Sequence, residues 1–167
     1  LRSYTHIKEL PVYADRETEM QIRAFFPYCF GRMKYPGVAN IKVNTIDQKT
    51  PFMAGGIEVQ PLRVFHGMFP ITAYRFGKLA YITDMSYIEP GELEKLKGVE
   101  VLVINALRFK AHDSHFNVEE AIEIIREVKP RKAYLTHLSH DIGLHATSAE
   151  RLSEGVELAY DGLEIEI

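Results

Sequence analysis

The 167 residues suffice for one domain with its own core and would be cramped for two. With 46% hydrophobic and 26% charged residues, and no apolar run near the roughly 18 residues a membrane-spanning helix needs, the composition is that of a globular protein rather than a membrane protein. A net charge of -3 without any block of lysines or arginines argues against long nucleic acid as a partner and leaves room for a small anionic substrate.

The opening Leu1-Arg2-Ser3-Tyr4 has neither the charged nor the apolar region of a signal peptide. Residues 10–14 read as a strand, and Asp15 as the N-cap of a helix over 18–26 that Pro27 stops. The apolar side of that helix is Met20, Ile22, Ala24, Phe25 and Phe26. Cys29 lies among aromatic residues as an inert thiol; a single cysteine excludes an internal disulfide and points to a reducing compartment, hence a cytoplasmic location. Between Gly31 and Gly56 the composition is loop-like around one strand at 40–46. Residues 57–66 alternate apolar and polar up to His66, and strands at 72–76 and 79–84 are joined by the two-residue turn Gly77-Lys78.

After Pro90-Gly91 a short helix at 92–97 leads into 99–105, whose β-branched run suits a strand buried on both faces. Asn117 caps a helix in which Val118, Ala121, Ile122, Ile124, Ile125 and Val128 are spaced to bury one face, with Glu119, Glu120, Glu123, Arg126 and Glu127 on the other. Pro130 precedes a short strand, 132–135, and the stretch around which the chain is organised, Leu135-Thr136-His137-Leu138-Ser139-His140-Asp141-Ile142-Gly143-Leu144-His145. A helix around 147–154 and the segments 156–160 and 163–167 close the chain. Strands and helices alternate with hairpins mixed in, so the expected class is α/β with mixed sheets.

In such sheets ligands bind at the carboxyl ends of the strands. His66, Asp84, the loop bearing His112 and His115, and His137 all fall at strand ends or in the loops just after them. Taken singly, His66 is a loop histidine and Asp84 a turn cap. Together they offer imidazoles and a carboxylate, the ligands that zinc-type ions prefer and that acid/base chemistry uses. His6 and His145 are read as surface residues.

The order Val64-Phe65-His66-Gly67, Tyr81-Ile82-Thr83-Asp84, His112-Asp113-Ser114-His115 and Leu135-Thr136-His137-Leu138-Ser139-His140 resembles the later motifs of the metallo-β-lactamase fold, from about Leu10 to the end. It is most similar to the branch with ribonuclease Z and the cyclic-phosphate phosphodiesterase of the phosphonate pathway. The resemblance implies an αβ/βα sandwich as a single domain over 1–167, with two divalent metal ions, zinc first and manganese or iron also admissible. It makes His66 a ligand of one metal, Asp84 the carboxylate bridging both, and His137 a ligand of the other. It makes His115 the acid that assists the leaving group, with His140 orienting the site; His112, on its own reading, is a group beside the site or a solvated one. The family's first motif, His-x-His-x-Asp-His, does not occur between Leu1 and Phe65. The expectation is therefore a chain lacking an upstream portion that carries it.

The function so implied is hydrolysis of a small cyclic or diester phosphate through a metal-activated water, with a homodimer expected. Two alternatives stand beside it. One is a ribonuclease Z-like RNA endonuclease, which should show a basic arm and steep salt dependence. The other is a non-catalytic binding or assembly module that keeps the sheet without its ligands.

Overall fold

The computed structural model describes residues 9–31 and 37–167 of the chain. His6 and the first residues lie outside the described residues. Two compact units form, Leu1–Thr50 and Pro51–Ile167.

In the first unit, β1 (Leu10–Ala14) and β2 (Ile41–Thr45) pair in parallel, with Leu10 opposite Ile41 and Ala14 opposite Thr45. The helix α1 (Arg16–Phe25) starts where its cap dictates: the Asp15 carboxylate accepts the Thr18 N–H at 2.8 Å. Pro27, which has no N–H to continue the ladder, opens a 3-10 turn instead. None of the α1 residues is buried, and Phe25 is 74% exposed. Its apolar side is only partly covered, with Ile22 half-buried while Met20 and Phe25 stay exposed. Cys29 is buried, as its aromatic neighbours suggest.

The second unit is built on a mixed sheet of eight strands: β3 (Phe52–Ala54), β4 (Ile57–His66), β5 (Phe69–Phe76), β6 (Leu79–Ile82), β7 (Tyr87–Ile88), β8 (Val101–Asn105), β9 (Lys132–Thr136) and β10 (Val156–Leu158). β3 to β6 form an antiparallel meander with β7 added beside β4. From β6 onward the pairing is parallel through β8, β9 and β10. Every residue of β8 is buried, which explains its unbroken apolar run. Around it Leu62, Val64, Ile82, Leu102, Ile104 and Leu135 form the heart of the core.

α2 (Pro90–Leu93) passes into a 3-10 turn, Glu94–Leu96, so the helix expected at 92–97 is shorter and shifted. Proline is suited to a first helical turn, where its missing N–H costs nothing. α3 (Val118–Val128) has a full capping box: Asn117 accepts the Glu120 N–H at 3.0 Å, and Glu120 accepts the Asn117 N–H at 2.8 Å. Its buried residues are Val118, Ala121 and Ile125, part of the face read from the sequence. α4 (His145–Ala149) is shorter than the helix expected at 147–154. β3 and β7 were not expected, being too short to show a period of two. β5 begins at Phe69 rather than 72 because Pro70 is accommodated opposite Phe65 near the strand's start. Residues 163–167 form no strand; Leu163 and Ile165 pack against Val101, Val103 and Tyr134.

Topology brings the candidate residues to one edge. β4 and β6 are each antiparallel to β5, so they run the same way as each other, and β8 and β9 run with β6. The carboxyl ends of β4, β6, β8 and β9 therefore share one edge of the sheet.

Candidate metal centre

At that edge His66 ends β4, Asp84 stands two residues beyond β6, His115 lies in the loop after β8, and His137 follows β9 directly. The backbone takes an unusual conformation at two of them. Asp84 and His137 each have φ of 58°, the left-handed region that costs a non-glycine residue about 1–2 kcal/mol. Among the described residues the other such non-glycine position is Lys129, the C-cap of α3. Both residues stand just past a strand end, and their side chains meet there.

Asp84 Oδ1 lies 3.2 Å from His137 Nε2 and 3.4 Å from His115 Nε2, and those two nitrogens are 3.2 Å apart. Donors about 2.0–2.1 Å from a tetrahedral zinc are separated by about 3.3 Å. The three atoms thus have the spacing of one face of such a coordination shell. His66 meets the His115 ring edge-on with centroids 4.6 Å apart, and donor atoms of His66, Asp84 and His115 all fall within 4.8 Å of one another. The donor set and its spacing fit a divalent cation. His115 stands nearly as close to the carboxylate as His137 does, so its position suits a ligand as well as a proton donor.

His115 Nδ1 faces away from the cluster, 3.0 Å from Ser114 Oγ and 3.3 Å from His112 Nδ1. That contact fixes the ring so that Nε2 points at Asp84. Burial holds the His115 pKa below the ordinary histidine value, helped by the neighbouring His66 and His137 and opposed by Asp84. A neutral imidazole is the form that binds metal. For Asp84 burial is the largest influence and works to raise the pKa, but the Thr83 side chain together with His137 and His115 outweighs it and holds the carboxyl below its usual range.

The structure does not bring His140 into the cluster. Its side chain is 93% exposed and pairs with Asp141 at 3.4 Å. Ser139 caps a 3-10 turn, His140–Ile142, that carries His140 to the outside. Asp141 in turn bonds Arg108 Nη1 at 3.0 Å, tying this loop to the one that carries His112. His145 is exposed, as read from the sequence, with Nε2 3.3 Å from the Leu158 carbonyl and its ring edge-on to Tyr160. Beside His137 a cavity of about 230 Å³ is lined by Thr136, Leu138, Ala159, Tyr160 and Asp161. Tyr160 and Asp161 escape sequence reading because nothing marks the turn after β10 as part of the same edge.

A family model described as the beta-lactamase superfamily domain matches residues 1–138. A solved diphosphatase of the PhnP family is 31% identical and superposes with a TM-score of 0.86 over all of this chain and 62% of its own. The short form of human tRNase Z shares the fold at 17% identity, with a TM-score of 0.65 over 94% of this chain and 66% of its own. A protein named octanoyltransferase from Porphyromonas gingivalis is 38% identical over 165 residues, which are 98% of this chain and 34% of that protein. The chain thus spans about a third of the curated relative and less than two thirds of the diphosphatase.

Proposed function

Because this chain belongs to the beta-lactamase superfamily domain family, a family of metallo-β-lactamase-fold hydrolases, we propose that it carries part of the metal site of a metal-dependent phosphodiesterase for a small cyclic or diester phosphate. The observation that carries the reading is the convergence of His66, Asp84, His115 and His137 at the carboxyl edge of the sheet, with donor atoms of His66, Asp84 and His115 within 4.8 Å of one another and His137 Nε2 3.2 Å from Asp84 Oδ1. The 31% likeness to a diphosphatase supports chemistry at phosphorus over other hydrolyses.

In this reading His66, Asp84 and His137 hold the metal. A divalent cation there supplies Lewis acidity toward a phosphoryl oxygen and lowers the pKa of a water. The expected complement is two ions, zinc first, with manganese or iron also fitting a His and carboxylate set. In its protonated form His115 would deliver a proton from Nε2 to the departing oxygen, its other nitrogen steadied by Ser114 and His112. The cavity beside His137 receives the group esterified to phosphorus; the Asp161 carboxylate repels a second phosphate there and accepts hydrogen bonds from hydroxyls. We assign the protein to the cytoplasm, where Cys29 stays a thiol, and expect a homodimer.

The octanoyltransferase name describes a protein about three times as long as the matched stretch, and the proposal for this chain rests on its own donor cluster. The test is metal content together with hydrolysis of bis(p-nitrophenyl) phosphate and of nucleoside 2′,3′-cyclic phosphates by the full-length protein. Bound zinc with hydrolysis that a chelator abolishes is the expected result. Metal without diester hydrolysis would overturn the phosphodiesterase, and steeply salt-dependent cleavage confined to RNA would favour the endonuclease. No metal at all would leave the binding module.

A further inference from the structure

Asn105, the last residue of β8, is fully buried and carries no charge, yet its side chain makes two bonds to a single residue next to the metal centre. Its Oδ1 accepts the Met85 N–H at 2.8 Å, and its Nδ2 donates to the Met85 carbonyl at 2.9 Å. The amide thus mimics a strand neighbour at a place where β6 has already ended. Met85 immediately follows Asp84, whose left-handed φ throws the chain out of strand geometry. A residue in that conformation persists only when its surroundings hold it there.

The same Met85 carbonyl also accepts the Phe116 N–H at 2.8 Å, and Phe116 immediately follows His115. One residue further on, the Ala106 N–H donates to the Thr136 carbonyl at 3.0 Å, directly before His137. Ser86 completes the set: its N–H reaches the Phe65 carbonyl at 2.7 Å and its Oγ accepts the Gly67 N–H at 2.9 Å, bracketing His66. Each candidate donor is therefore next in the chain to a residue held by one of these bonds, and the Asn105 amide holds Met85, which follows Asp84 and whose carbonyl also takes the N–H of the residue after His115.

We propose that Asn105 is a positioning residue that sets the spacing of the metal donors by clamping Met85, and so holds Asp84 in its left-handed conformation and His115 at 3.4 Å from it. The proposal rests on the metal reading of the site and goes beyond it, because Asn105 touches neither metal nor substrate. A merely structural asparagine would satisfy buried backbone groups and leave the donors where they are.

The experiment is Co(II) titration of the full-length protein, followed by the d–d absorption of the bound ion, alongside thermal unfolding of the metal-free form. Asn105→Ala removes both bonds, and Asn105→Asp keeps the shape and one acceptor. Leu96→Ala, a buried core truncation outside the strand-end cluster, serves as the stability control. Loss of a residue that orients ligands typically weakens metal binding about 10–100-fold, so both Asn105 variants are expected to lose at least about tenfold in Co(II) affinity and to change the spectrum. Leu96→Ala is expected to lower the unfolding temperature with affinity and spectrum unchanged.

A folded Asn105 variant with wild-type affinity and spectrum overturns the proposal. So does equal weakening in Leu96→Ala, or failure of both Asn105 variants to fold, since the residue then serves the fold as a whole. If Asn105→Ala alone does not fold, Asn105→Asp decides. A wild-type protein that takes up no Co(II) overturns the metal reading itself, whereas uptake unchanged by the variants removes only the role of Asn105.

Discussion

Two helices of this protein carry equally good local signals and meet different fates. α1 and α3 both begin at a capping side chain, Asp15 and Asn117, and both have an apolar side. α3 buries Val118, Ala121 and Ile125 in the core of the second unit, while α1 buries none of its residues. Caps and periodicity decide that a helix forms and where it starts. They do not decide what covers it, because burial depends on chain distant in sequence. The contrast extends to function: among the described residues, His66, Asp84 and His115 of the donor cluster all belong to the unit that holds α3.

The strongest way to break that contrast is at Asp84. Asp84→Ala should reduce metal-dependent diester hydrolysis by about a thousandfold or more, which corresponds to about 4 kcal/mol of lost transition-state stabilisation. Phe25→Ser on α1 should leave turnover unchanged in the same assay. Comparable losses from both would place α1 in the working machinery.

His115→Ala comes next and separates two roles. As the proton donor, its loss should slow hydrolysis of an alkyl diester about 10²–10⁴-fold, with much less effect on an ester whose leaving group needs no proton, and with metal content retained. Loss of bound metal in this variant would instead make His115 a ligand, the role its 3.4 Å distance from Asp84 also suits.

Stability offers a third comparison. Ile125→Ala should cost about 2–4 kcal/mol, as buried truncations do, whereas Met20→Ala on the exposed side of α1 should stay within about 0.5 kcal/mol in denaturant unfolding. An equal cost would show that α1 is covered in the protein under study. The caps themselves should matter less, with Asp15→Ala and Asn117→Ala each losing about 1 kcal/mol, the latter more because it dismantles a two-way capping box.

Acid should act on the second unit before the first. The His115 pKa is depressed, so the fold favours its neutral form; the stability it contributes is complete above about 6.5 and is lost as pH falls below that. Asp84 is depressed as well, and its contribution is complete above about 3.9 and is lost on further acidification. The unfolding temperature of the metal-free protein should therefore fall on acidification, and His115→Ala should flatten the part near pH 6.

Much of the site could be read because its residues sit where a linear pattern ends. The alternation up to His66, the hairpin leading to Asp84 and the apolar strand before His137 each point to a strand terminus, and the structure puts all three at one edge. His140 shows the limit. Three residues from His137 and of the same type, it turns outward because a Ser139-capped 3-10 turn intervenes, a local geometry that the sequence spacing does not disclose. Asn105 was legible only as the end of a buried strand. Its importance lies in an amide that bonds a residue 20 positions away.

By itself the sequence determined most of the longer elements and the chemistry on offer. Hydrophobic period, caps and turn residues act over a few positions, and imidazoles with a carboxylate at strand ends already specify the kind of ion they suit. Only the tertiary structure decided which of those groups meet. Strand order and direction gather four distant segments at one edge, where Asp84 and His137 take left-handed backbone beside residues held by long-range hydrogen bonds. No local pattern carries that information, because the energy that holds the strained residues in place comes from contacts far along the chain.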